Sequence, residues 1–183
     1  MQLRPFAWGQ PLGEDLLQPT ADIAASPPIA EIEPGETQTF RLVLRTAPKT
    51  HEASYRLLLD QLPAAASPGT VRVALRISVP VFAKTNSRSD RKLSWQVVLA
   101  QGSASLVAEN DGGEHVRILN PILTEAGGRR LELKGPPNPY ILPGMKRRWS
   151  IVAGNGLQSG STVHLTAMSN EGTVDAMVPV SRP

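Results

Sequence analysis

From position 71 to position 81 every odd-numbered residue is aliphatic: Val71, Val73, Leu75, Ile77, Val79 and Val81. Between them stand Arg72, Ala74, Arg76, Ser78 and Pro80. Side chains along a strand alternate faces with a period of two, so the pattern predicts a long β-strand with an unbroken aliphatic edge and a mixed, partly basic one. Such a strand either lines the core of its own sandwich or lends alternate side chains to an incomplete partner sheet, the strand-addition mode of recognition.

The same rhythm recurs along the chain. Residues 2–9 read as a strand carrying Leu3, Phe6 and Trp8, and residues 11–28 as turn-rich sequence in which Ser26-Pro27-Pro28 stiffens a loop. Residues 29–32 read as a short strand ending at Pro34-Gly35, where a type II turn uses proline to fix φ and glycine to supply φ > 0. Residues 38–45 alternate with Phe40, Leu42 and Leu44 on one face, and residues 55–62 form a strand closed by Pro63. The stretch KTNSRSDRK, residues 84–92, has no apolar residue and reads as a linker.

Beyond it strands are predicted at 95–100, 105–109, 115–123, 130–134, 140–153 with a break at Pro143-Gly144, 162–169 and 173–180. Strands at this spacing over about 90 residues match an immunoglobulin-like sandwich. The expected organisation is a first domain over 1–83, a linker over 84–92 and a second domain over 93–183. The first half carries fewer strands, and a sandwich without its opening strands exposes a sheet edge and part of its core. The chain as given is therefore expected to be short at its N-terminus.

Composition supports an all-β chain: 183 residues, 40% hydrophobic and only 19% charged, with 15 Gly and 17 Pro as frequent turn formers. The formal charge of +3 comes from 19 bases against 16 acids, with no basic run interleaved with aromatics, so nucleic acid is not an expected partner. Cysteine is absent, which excludes disulfides, thiolate metal sites and a thiol nucleophile. No apolar stretch approaches the ~20 residues that cross a bilayer, and MQLRPFAWGQ lacks the features of a signal peptide.

His51, His115 and His164 lie far apart without metal-ligand spacing, and each is expected at the surface. His164, between Val163 and Leu165, is expected to face solvent. There is no G-x-S-x-G and no coherent Ser, His, Asp grouping. Gly112-Gly113, Gly127-Gly128 and Asn155-Gly156 read as hairpin turns. With no visible site chemistry the chain reads as a non-enzyme without cofactor or metal.

Four blocks stand in order across residues 26–151: SPPIAEIEPGETQTFRLVLR, EASYRLLLDQLP, VRVALRISVPVF and YILPGMKRRWSI. Their order and spacing resemble the periplasmic pilus-assembly chaperones of the chaperone-usher pathway, most closely the archaic or alternative branch. The most specific parts are Pro34-Gly35 with Arg41, Tyr55-Arg56-Leu57 with Leu62-Pro63, and Val79-Pro80-Val81-Phe82. The resemblance implies two immunoglobulin-like domains at an angle and a periplasmic location. It implies that pilus subunits are bound by donor-strand complementation and delivered to an outer-membrane usher. On it roughly the first two strands and the export signal are missing.

By this carry-over Val71, Val73, Leu75 and Ile77 are the donor residues. Four such side chains buried in a groove are worth about 1.5–3 kcal/mol each before ordering costs. Of the family's two basic carboxylate anchors, one lies on the missing opening strand and the other falls on Pro80. Arg56 is the motif-matched replacement and Arg76 the second candidate, because a guanidinium forks onto a carboxylate. The plain alternative is that Arg56 pairs with Asp60 or Glu52.

On the resemblance Glu52 and Lys84 sit at the family's hinge-side ion positions with Glu171 as the expected second-domain partner, against the alternative of independent solvated charges. An exposed aliphatic edge also invites self-association. The competing reading is a generic two-domain immunoglobulin-like binding or adhesion module whose strand at 71–81 fills its own core. Aromatic residues total only 4%, and Trp8, Trp95 and Trp149 fall on separate strands as core or interface residues.

Overall fold

The computed structural model describes residues 1–62, 73–85, 92–152 and 154–182. Their contacts divide the chain into two units: Met1–Trp8 with Leu16–Asn86, and Gly9–Asp15 with Ser87–Pro183.

The first unit contains β1 (Gln2–Gly9), β2 (Leu16–Pro19), β3 (Ile23–Ser26), β4 (Arg41–Leu44), β5 (Ala53–Asp60) and β6 (Arg76–Ala83). They form a four-stranded sheet in the order β2-β1-β5-β6 and a two-stranded sheet, β3-β4. Antiparallel register sets Leu3 beside Leu59, Pro5 beside Leu57 and Ala7 beside Tyr55. It then sets Leu59 beside Ile77, Leu57 beside Val79 and Tyr55 beside Val81. Paired residues share a face, so the odd positions of three strands make one continuous aliphatic surface. Leu3, Ile23, Tyr55 and Leu57 are buried.

Two expectations are corrected. Residues 29–32 form no strand, and Ile29 makes only an isolated bridge to Gln2. Pro27 and Pro28 before this stretch and Pro34 after it remove ladder donors at both of its ends, and the strand lies earlier, where Ile23 to Ser26 pair with Leu44 to Arg41. The turn at Pro34-Gly35 forms as expected, with Gly35 at φ 84° and Glu36 N–H donating to the Glu33 carbonyl at 3.0 Å. The strand expected at 71–81 starts only at Arg76, because β5 ends opposite it at Asp60 and a single further rung joins Gln61 to Leu75. Val71 and Arg72 lie outside the described residues.

The second unit contains β7 (Leu93–Ala100), β8 (Ser103–Asn110), β9 (Val116–Thr124), β10 (Arg130–Lys134), β11 (Tyr140–Ile141), β12 (Lys146–Val152), β13 (Thr162–Ser169) and β14 (Gly172–Ser181). Their order is β10-β12-β8-β7-β14-β13-β9-β11, and β10 also pairs with β9, so the ladders close on themselves. Inside lie Val97, Leu106, Ile118, Leu123, Leu165 and Val178 among others. Trp95 lies beside Trp149 with ring centroids 5.9 Å apart. Gly135 lets the chain run against Trp149, since a Cβ there would collide with the indole.

Of the three expected hairpin turns, Gly127-Gly128 joins the paired strands β9 and β10. Gly112-Gly113 instead connects β8 to β9, which are not neighbours. Gly154–Gly156 is a short 3₁₀ turn leading away from β12.

Gly9–Asp15 joins the second unit through a buried polar network. Arg147 on β12 is 1% exposed. Its Nε donates to the Tyr140 carbonyl at 3.0 Å, its Nη1 to the Gly13 carbonyl at 2.8 Å and its Nη2 to Asp15 Oδ1 at 2.8 Å. Gln10, fully buried, donates from Nε2 to the Tyr140 carbonyl and to Asp15 Oδ1 and accepts from the Leu142 N–H. Asn138 donates to Asp15 Oδ2.

A buried guanidinium left without its carboxylate is costly. Asp15→Ala should therefore destabilise the second unit by about 2–3 kcal/mol, somewhat less than a fully buried pair would give. Denaturant unfolding followed by backbone amide exchange in β12 measures it, and unchanged exchange there would show the network to be inert.

Candidate functional site

In the order β2-β1-β5-β6 the strand β6 stands at an edge of its sheet. One side of its backbone pairs with β5, and among the described residues no strand pairs with the other. The aliphatic side chains of its first half and of the residues just before it are open: Val73 is 88% exposed, Leu75 55%, Ile77 42% and Val79 44%. Leu42, Val43 and Leu44 of β4 are also exposed. An edge strand with a contiguous apolar row is a template for pairing with another chain.

Of the expected donor residues, Ile77 lies on the strand, Val73 and Leu75 lie on the extended approach to it, and Val71 is outside the described residues. Val79 is not among the expected donors, although the same alternation carries it. It continues the exposed row opposite Leu57.

The even positions of the same strands build a different surface. Arg4, Phe6 and Trp8 of β1 share a face with Arg56, Leu58 and Asp60 of β5 and with Arg76, Ser78, Pro80 and Phe82 of β6. The Arg56 guanidinium carbon lies 3.9 Å from the centroid of the Trp8 ring, and Trp8 lies 6.0 Å from Phe82. Arg4 lies over Phe6 at 5.5 Å. A guanidinium over an indole face gains about 0.5–2 kcal/mol, more when water is excluded, and Trp8 is buried.

Asp60 does not serve Arg56. It accepts from Arg76 Nε at 2.5 Å and from Arg4 Nη2 at 2.6 Å. Arg76, the second candidate anchor, is thus committed to an ion pair. Hydrogen bonds from Arg76 and then Arg4 hold the Asp60 carboxyl below the usual carboxylate range.

The three residues of the expected ion network fall as follows. Glu52 is buried, and it stands with Lys84 one step beyond the last paired positions of β5 and β6, Ala53 and Ala83. Glu171 lies in the turn between β13 and β14 of the second unit, its N–H donating to Ser169 Oγ at 3.1 Å.

Among the described residues no three His, Cys, Asp or Glu side chains converge as metal ligands. His164 Nε2 lies 2.8 Å from Asp175 Oδ1 on the exposed face of the β13–β14 pair, in line with the solvent-facing expectation.

Residues 5–87 match the family described as pili and flagellar-assembly chaperone, PapD N-terminal domain. The whole chain superposes on a chain of the CsuC–CsuE chaperone–tip adhesion subunit pre-assembly complex from the archaic chaperone-usher Csu pili of Acinetobacter baumannii. The two are 23% identical with a TM-score of 0.66, covering 100% of this chain and 84% of that one. The YadV chaperone is similar at 19% identity and TM-score 0.64, covering 97% and 84%. The E. coli chaperone DraB is similar at 17% identity and TM-score 0.58, covering 96% and 83%. No curated protein matches the sequence. These structural likenesses share the all-β, two-domain fold.

Because the Asp60 carboxyl is depressed in the folded chain, its contribution is fully present above the ordinary carboxylate range near about 4 and is lost as pH falls through the lower folded value. Asp60→Asn should flatten the acid-side loss of first-unit stability, read as amide exchange in β5 between about pH 5 and pH 2. An acid limb unchanged in the variant would assign that loss to other groups.

Proposed function

We propose that this chain, whose residues 5–87 match the PapD N-terminal domain of pili and flagellar-assembly chaperones, is a member of the PapD-like family of pilus-assembly chaperones and holds pilus subunits by lending them the open edge of β6. The family is one of non-enzymatic periplasmic chaperones. The observation that carries the strand-lending step is the exposed row Val73, Leu75, Ile77 and Val79, which runs onto a strand that among the described residues is paired on one side. A subunit lacking a strand would bury that row in its groove and pair with the free backbone edge. Each aliphatic contributes about 1.5–3 kcal/mol gross, and the cost of ordering the two surfaces leaves only part of this as affinity.

A binding module that used the strand only for its own core would keep these side chains covered, so the exposure favours donation. On this reading the chain acts in the periplasm and passes its subunits to an outer-membrane usher. Arg56, stacked on Trp8, is the proposed holder of a subunit carboxylate, because a guanidinium forks bidentately onto a carboxylate.

Co-purification with a co-expressed pilus subunit tests both parts. Leu75→Glu and Ile77→Glu should each weaken capture at least about a hundredfold, since a charge would enter the apolar groove. Met177→Glu, at an exposed position of the second unit, should leave capture intact. Capture that survives the β6 substitutions rejects strand donation. Arg56→Ala should weaken capture much more than Arg45→Ala, and equal effects would reject the carboxylate role.

A further inference from the structure

The free edge of β6 is not uniform. In an antiparallel pair, alternate residues turn both backbone groups toward the partner and the residues between turn theirs away. The rung from Gln61 N–H to the Leu75 carbonyl, at 2.8 Å, fixes the phase. Gln61 stands opposite Leu75 in the register that continues as Leu59 with Ile77, Leu57 with Val79 and Tyr55 with Val81. Ile77, Val79 and Val81 therefore spend their backbone groups on β5. Arg76, Ser78, Pro80 and Phe82 point theirs to the open side.

Arg76 and Ser78 can offer an N–H to an incoming strand. Pro80 cannot, because its nitrogen carries no proton. It stands opposite Arg56, and the β5–β6 ladder is continuous through it because the missing donor lies on the unpaired side, the position in which a strand tolerates proline.

We propose that Pro80 determines how far a bound strand can run along β6. This deepens the strand-donation reading and rests on it. An added strand finds backbone donors at Arg76 and Ser78 and meets a gap at Pro80, so its ladder ends there. The side chains it can use are those up to Ile77, with Val79 at the boundary. Pro80 acts as a register-setting residue. It selects partners whose missing strand is matched by the segment before it, and it closes the end of the strand nearest the linker to pairing.

Backbone amide exchange of the full chain, free and bound to a co-expressed pilus subunit, tests this for wild type and Pro80→Ala. The substitution leaves the β5–β6 ladder intact and adds only a donor on the open side. In wild type, binding should slow exchange at Arg76 and Ser78 by at least about tenfold and leave Phe82 unchanged. In Pro80→Ala the slowing should extend to the new amide at position 80.

Slowing at Phe82 in the wild-type complex would overturn the proposal, and so would a Pro80→Ala chain in which binding does not slow the amide of position 80. If binding slows neither Arg76 nor Ser78 in wild type, strand donation itself fails, a result distinct from either of these.

Discussion

A strand presents hydrogen-bonding groups along both edges, and among the described residues the first unit leaves one edge of β6 without a strand. That one-sidedness governs the rest of the unit. Because backbone direction and side-chain direction are both locked to a period of two, pairing with β5 settles which residues face the aliphatic surface and which face the arginine and aromatic surface. It also settles which backbone groups look outward. The second unit solves the same problem differently: its ladders close on one another, with β10 bonded to both β9 and β12. Closure removes the open row that invites another chain.

Charge is handled in three ways on these surfaces. Arg4 and Arg76 meet at Asp60 near the rim of the sheet, where a shared carboxylate ties β1 to both β5 and β6. Arg56 lies on an indole, which holds the plane of its guanidinium. Arg147 is withdrawn from water and is satisfied by two carbonyls and one acid. The side chains are chemically identical, and the faces their strands present decide the outcome.

Alternation was legible wherever a strand was long and faced solvent on one side. The boundaries of β10 and β13 follow from it directly, and the break at Pro143-Gly144 separates β11 from β12, whose ends fall a residue or so inside the expected 140–153. It failed where pairing was short or distant. Ile23-Ala24-Ala25 has too little contrast to signal a strand, and its partner β4 lies far along the chain. It misled at residues 73–75, where the pattern continues but β5 has ended.

Hydropathy also reads polar residues as exposed, so Gln10 and Glu52, both buried, gave no hint of their positions. Arg147 could have been found: it alternates inward with Trp149 and Ile151, both buried, while Lys146, Arg148 and Ser150 face out. At the candidate site the donor row was visible as a pattern. The partners of Arg56 and Arg76 were not, because they depend on β1 lying beside β5.

The place of Gly9–Asp15 changes what a boundary means in this chain. The charged stretch near Lys84 is where composition says one half stops and the next begins, yet the second half is already under way before β2. A piece cut at the linker would inherit an arginine and lack the acid that answers it. Its flaw would be electrostatic and internal, with every strand present. Autonomy in a two-part protein can thus be withheld by one short loop, and a strand count alone would never reveal it.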